Sequence, residues 1–318
     1  MRYACCAVTA ACALLLPFYL NPYLQYVVNL MLVNVIVTLG FNILIGYRGQ
    51  LAFANTGFFG IGAYTAAILM GRYGVPFPVA IIGSAAVAGL VGFLLGLPAL
   101  RLKRYSLALL TLAFVELLRW SYIHGSGITN GSSGLPVPAA FVFGIPISND
   151  HEKFYVFLVV VGLCVWCSRN LLDSRVGRAI VALRDNELAG QSVGIWAEWY
   201  TVLAFTWSAV LVGVAGSLFA VLIGRVVPES FDLAQLLMHF AMVMVGGTAS
   251  VLGSVLGAIT LTALPELVRN FAGLQEIVFS LLLIGVLFFA PNGLAGLVAN
   301  WNERRAQRST TEKKASGP

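Results

Sequence analysis

Long apolar runs separated by short polar breaks fill the 318-residue chain. They fall at about 4 to 20, 24 to 45, 51 to 70, 77 to 98, 105 to 122, 154 to 169, 201 to 224, 234 to 268 and 276 to 298. Most have the length a helix needs to cross a hydrocarbon core of roughly 30 Å, and none shows the alternation of barrel strands. The run at 234 to 268 is too long for one crossing, and "VGGTASVLGS" interrupts it at Gly246 and Gly247, which predicts two short or half helices. A second irregularity is "GYRGQLAFANTGFFGIGAY", Gly46 to Tyr64, where an arginine, a glutamine and an asparagine stand in apolar surroundings. It predicts a break between helices over Gly46 to Gln50, amides at Gln50 and Asn55 with Thr56 beside them, and then a smooth face for a neighbouring helix at Gly57, Gly60 and Gly62.

Composition fixes the class. Hydrophobic residues make up 59% and charged residues 10%, against about 25% charged in soluble domains. The expected fold is an all-α polytopic membrane protein with one membrane domain over residues 1–300 and a disordered, solvated tail at 301–318. The opening "MRYACCAVTAACALLLPFYL" reads as an uncleaved first helix, because no cleavage site followed by a polar region comes after it. Positive charge gathers at Arg48, at "RLKR" from Arg101 to Arg104, between Arg169 and Arg184, and in the tail. Placing these clusters in the cytoplasm puts both termini there and gives about ten segments, with 234 to 268 counted as a hairpin. All five cysteines lie in apolar runs, so Cys164 and Cys167 read as packing residues rather than a metal pair.

Outside the membrane, Ile123 to Lys153 is rich in Gly, Ser and Pro and predicts an irregular outer loop with a short reentry. The stretch of about 169–200 differs. Leu172, Val176, Ala179, Ile180 and Leu183 share one helical face and Ser174, Arg178, Arg184 and Asp185 the other, which predicts a folded amphipathic element. The chain has no G-x-x-x-x-G-K-[ST] loop, H-E-x-x-H, G-x-S-x-G or EF-hand pattern, so neither an ATP site of its own nor enzyme chemistry is indicated. His124, His151 and His239 are scattered. Charges deep in spans, the mark of ion-coupled transporters, are few; Glu116 is the best case, and Arg119 three residues on offers a local ion pair. Neutral polar groups are commoner at Asn34, Asn42, Gln50, Asn55, Thr56 and Gln235, where amides either contact a substrate or bridge helices.

Four stretches in order carry a resemblance: the opening "GYRGQLAFANTGFFGIGAYTAAIL"; "TLAFVELLR" followed by "ITNGSSGL"; "SRVGRAIVALRDNELAGQSVGIWAEWYTVLAFTWSA"; and "MVMVGGTASVLGSVLGAI" with "PELVR" and "FAPNGLAGL". Together they resemble the permease subunits of branched-chain amino acid ABC importers, the LivM type. The third is similar to the loop by which such permeases dock on their ATPase, although Gly190 and Gln191 replace an alanine and an acid there and Thr201 stands where a lysine is common. The resemblance implies a bacterial cytoplasmic (inner) membrane location and import of branched-chain or related hydrophobic amino acids. The partners it implies are a second, LivH-like permease subunit, two ATP-binding subunits and a periplasmic or extracytoplasmic substrate-binding protein. ATP and Mg would sit on the partner chains, and no cofactor, metal or nucleic acid belongs to this one. The ATPase-coupling residues so implied are Arg178, Arg184, Asp185, Glu187, Ala189 and Gly194; those expected along the substrate pathway are Gln50, Asn55, Thr56, Asn42 and Glu116. A permease for urea or another small amide, or an ion-coupled secondary transporter, remains the alternative.

Overall fold

The computed structural model describes residues 21–102, 104–142, 144–147, 149–267 and 293–296. The expected first span at 4 to 20, most of the last at 276 to 298 and the tail lie outside the described residues. Helix α1 (Pro22–Asn42) runs into a π-helical turn at Ile43–Tyr47, and after an irregular stretch α2 spans Asn55–Tyr73. Two longer helices follow, α3 (Phe77–Ala99) and α4 (Arg104–His124). A cap holds α5 (Ser126–Thr129), a 3-10 turn at Gly131–Ser133 and the strands β1 (Leu135–Pro136), β2 (Ala140–Val142) and β3 (Ile145–Ile147). Then come α6 (Asp150–Asp173), α7 (Arg175–Asp185), α8 (Glu187–Ser192), α9 (Ala197–Ile223), β4 (Arg225–Val226), a 3-10 turn at Pro228–Phe231, α10 (Leu233–Gly246) and α11 (Val251–Leu267).

Among the described residues, five helices are long and apolar enough to cross a membrane: Pro22–Tyr47, Phe77–Ala99, Tyr105–His124, Asp150–Asp173 and Ala197–Ile223. The membrane part is thus helical and polytopic, as the runs predict. The predicted break in 234 to 268 is also present. At 14 residues α10 is about 21 Å long, and at 17 residues α11 is about 26 Å, each shorter than a full crossing.

Burial sorts the helices into layers. Helix α9 packs against α3, α2 and α1 and forms the centre of the bundle. The peripheral helices show apolar faces: Val79, Ile82, Leu90 and Leu94 on α3, Leu109 and Leu117 on α4, Val159 and Leu163 on α6 are all exposed. Helix α2 begins with Asn and Thr and is buried without interruption from Asn55 to Tyr64, so it can be less apolar than a span that meets lipid. Its glycines permit a backbone-to-backbone crossing: a Cβ on Gly62 would collide with the Gly213 carbonyl, and one on Gly216 with the Phe59 carbonyl. Small hydroxyls tighten the same layer, Ser84 donating to the Gly62 carbonyl at 2.9 Å and Ser208 to the Gly40 carbonyl at 2.7 Å.

The outer loop is more ordered than its composition predicts. β1 pairs antiparallel with β4 and β2 with β3, so the segment is a folded cap with short strands rather than an irregular loop. Arg225 donates to the Ser133 carbonyl at 2.9 Å, and Arg72 to the Gly127 carbonyl at 2.7 Å, which fastens the cap to the ends of α9 and α2. These bonds link residues distant in sequence, which local Gly and Pro content does not reveal.

One side chain joins the two helix breaks. The Asn42 Nδ2 lies 3.0 Å from the Ser250 carbonyl and 2.8 Å from Ser254 Oγ, and its Oδ1 accepts the Ala249 N–H at 2.9 Å. Gly46 is a glycine for the same reason, since a Cβ there would occupy the place of Asn42 Oδ1. Ala249 has a left-handed backbone, φ 57°, which costs a residue with a Cβ roughly 1–2 kcal/mol and persists because the asparagine holds its N–H. Asn42→Leu is expected to lower stability by about 3 kcal/mol, because it leaves buried backbone groups of the second break unpaired. Ala249→Gly relieves the strained backbone and is expected to leave stability unchanged or raised. Thermal unfolding midpoints in detergent, measured on both variants, check the pair of outcomes.

Candidate functional site

The predicted amphipathic element is two helices. Ser174 caps α7, its Oγ accepting the Val176 N–H at 3.1 Å, and Asn186 caps α8 by accepting the Ala189 N–H at 3.1 Å. Ala179, Ile180 and Leu183 are buried on the face the sequence assigns to them, while Arg178, Arg184, Asp185, Glu187, Ala189 and Gly194 are all exposed. Arg178 donates to the Asp173 carbonyl at 3.0 Å. The sequence reading missed the exposed apolar residues of this loop: Leu188, Val193 and Trp196 are 79%, 76% and 77% exposed. Their signal lay in being apolar positions outside the buried face. Such side chains in a polar loop suit a docked surface.

Arg48 anchors the loop to the bundle. Its side chain is only 3% exposed, and its Nε and Nη2 lie 3.1 and 3.0 Å from Thr201 Oγ1. Thr201 sits in the first turns of α9 and donates its own proton to the Ala197 carbonyl at 2.8 Å, so its lone pairs face the guanidinium. Glu187 Oε1 at the start of α8 lies 3.6 Å from Arg48 Nη2. Burial draws the Arg48 pKa down from its usual value and the Glu187 carboxylate acts against that shift. The three residues come from the irregular stretch after α1, from α8 and from α9, and border a cavity of about 540 Å³. Gln50, Arg101, Arg184, Asp185 and Glu198 complete its polar wall. The sequence shows Arg48 as a topology marker; its burial and its partner Thr201 are not visible there.

The residues expected along the substrate pathway separate into different places. Gln50 lies in the cavity just described. Asn42 has both ends of its amide engaged at the second break. Glu116 is 57% exposed on α4 and pairs with Arg119 at 3.6 Å, the local ion pair that the spacing predicts. Asn55 and Thr56 are fully buried at the start of α2, and Asn55 Nδ2, Asn55 Oδ1 and Thr56 Oγ1 meet no partner among the described residues.

Further along α2 lies an aromatic seam. Tyr64 stacks on Tyr122 with ring centroids 4.3 Å apart, and Phe231 packs edge-on or tilted against both. Phe59 meets the edge of His239 at 5.6 Å. His239 Nε2 lies 2.9 Å from Gln235 Nε2, whereas its Nδ1 and the hydroxyls of Tyr64 and Tyr122 have no partner among the described residues. Each buried polar atom left unsatisfied costs on the order of 1–3 kcal/mol, so these atoms call for partners beyond the described side chains. Behind α10 a cavity of about 300 Å³ is lined by Asn34, Phe219, Gln235, Met242 and Thr262. Tyr64 and Tyr122 escape a sequence reading because only the packing of α2 and α4 brings them together.

Comparison with known proteins identifies the family of the chain. A family model described as the permease component of branched-chain amino acid transport systems matches residues 23–291. The chain is 32% identical over 302 residues to the high-affinity branched-chain amino acid transport system permease protein LivM of Escherichia coli strain K12, covering 87% of this chain and 71% of that protein. It is 28% identical over 301 residues to the corresponding permease protein BraD of Pseudomonas aeruginosa, covering 86% of this chain and 96% of that one. To the permease protein LivH of Salmonella typhimurium it is 24% identical over 283 residues, covering 82% and 90%. The chain therefore belongs to the family of branched-chain amino acid transport permease components.

Proposed function

We propose that this permease imports branched-chain or related hydrophobic amino acids across the bacterial cytoplasmic membrane, driven by ATP hydrolysed on partner chains. The observation that carries the reading is the loop of α7 and α8, exposed on one side and latched on the other to the bundle through Glu187, Arg48 and Thr201. A loop fixed in this way passes a push from outside to the irregular stretch that leads into α2. We assign Arg178, Arg184, Asp185, Glu187, Ala189 and Gly194 to the face that meets the ATP-binding subunits, together with Leu188 and Val193. With that face and both termini in the cytoplasm, the cap points outward, where an extracytoplasmic binding protein delivers substrate. Ten membrane segments over one permease domain, residues 1–300, satisfy this orientation.

Asn55 and Thr56 then belong to the substrate pathway, Asn42 fastens it, and Gln50 lies at its cytoplasmic end. Glu116 and Arg119 stand on an otherwise apolar exposed face of α4 with Leu117 and Trp120. An ion pair in a span faces protein or water rather than lipid. On this reading the second, LivH-like permease subunit lies against α4, with the pathway between the two subunits, and the exposed ion pair supports it. ATP and Mg sit on the two ATP-binding subunits, and this chain carries no cofactor of its own.

With these partners in proteoliposomes, leucine delivered by the binding protein should enter only when ATP is supplied. Uptake driven by a sodium or proton gradient without ATP would overturn the proposal. Glu187→Arg sets a second cation against buried Arg48 and is expected to cut import at least about tenfold. Arg48→Lys keeps the charge but loses the paired geometry on Thr201, and should fall between this variant and the parent. Uptake rates normalised to assembled complex check both.

A further inference from the structure

Resting on the importer reading, we infer that the N-terminus of α2 is a docking point for the carboxylate of the amino acid in transit. The first N–H groups of any helix lack an acceptor within it and carry about half a positive charge. Side chains meet this need at some helices: Ser174 at α7, Asn186 at α8 and Asp232 at α10 each accept a backbone N–H, and Ser250 Oγ accepts that of Gly253 at α11, whereas α1, α3 and α9 begin without a side-chain cap. Helix α2 has no such cap. Its N-cap residue is Ala54, no side chain caps it, and no acidic residue occupies its first turn.

This uncapped end is also buried, with Ala54, Asn55 and Thr56 at 0% exposure. A helix end closed off from water without a partner is costly, and here it carries further unpaired groups in Asn55 Nδ2, Asn55 Oδ1 and Thr56 Oγ1. Backbone N–H groups, an amide and a hydroxyl at one helix end are donors of the kind that suits the two oxygens of a carboxylate. Asn55 Oδ1, an acceptor, is available to the ammonium of the same zwitterion.

The apolar half of the ligand has a place as well. Phe41, Phe53 and Phe240 form a triad with centroids 5.7 to 6.5 Å apart, and Phe53 stands two residues before Asn55. The Phe53 N–H is bound to Thr111 Oγ1 at 2.8 Å, which holds this stretch to α4 and fixes the helix end against the rings. Movement of α4 or α10 away from the start of α2 opens a site with a polar floor and an apolar wall. Nothing there neutralises the helix end in advance, so the carboxylate supplies the charge that the protein leaves out.

The test is Asn55→Asp in the complete transporter, reconstituted with its partners and supplied with leucine-loaded binding protein. An aspartate at the start of a helix favours the helix, so assembly and thermal midpoint should hold or rise. It also places a negative charge where the substrate carboxylate would sit, so leucine import should fall at least about tenfold with half-saturation by the binding protein unchanged. Thr56→Val, of the same shape without the hydroxyl, should reduce import about threefold. Asn55→Asp vesicles that import leucine at the parental rate would overturn the site and leave the importer reading standing. A loss of import that tracks a lowered midpoint or poor assembly would also overturn it, by assigning Asn55 a structural role. Parental vesicles that show no ATP-dependent leucine uptake would overturn the importer reading itself, a separate result in the same experiment.

Discussion

A polypeptide inside a bilayer has to satisfy its own backbone, since no water is present to do so. Among the described residues this chain leaves α-helical geometry within its bundle after Asn42 and again between α10 and α11. The second departure is tolerable because the residue at the end of α1 serves it. Asn42 gives its N–H groups to the second break and takes the N–H of Ala249, so one side chain supplies partners that this irregular stretch lacks. Without it the junction of the two short helices would expose unpaired groups to an apolar interior.

From this fastening the order of the bundle follows. Helix α1 can end early, the chain can cross to α2 in an extended stretch, and Arg48 in that stretch can reach α8 and α9. The peripheral helices are conventional in their exposed apolar faces. Irregularity, unsatisfied polar atoms and close glycine contacts are gathered in α2, α9, α10 and their neighbours, which is where a conducting path needs shallow energy differences between packings.

Much of this was legible in the chain. Apolar run lengths locate the described spans, the double glycine at Gly246 and Gly247 marks a real break, and the spacing of Val176, Ala179, Ile180 and Leu183 identifies a buried face. Glu116 and Arg119, three apart, pair as helical geometry requires. Periodicity encodes such local facts directly. The role of Asn42 was not legible, because its partner Ala249 lies 207 residues away and nothing near either residue points to the other. Arg48 looked like a surface charge, since sequence shows the sign of a residue and not its burial. The cap strands were hidden for a related reason: β1 and β4 have two residues each and come from opposite sides of four helices.

Helix α9 carries a consequence of its length. Its first turns hold Thr201 against Arg48, and its last residue leads into β4, which is paired with the cap. At 27 residues it is a rod of about 40 Å. A rod pivoting near its middle, where Gly213 and Gly216 touch α2, turns a tilt of about 5° into opposite displacements of nearly 2 Å at its two ends. Glycine contacts make a smooth fulcrum, and the strand pair makes the far end a handle. The cap and the latch are therefore geared in opposite senses, and a closing movement at one face of the bundle is an opening movement at the other.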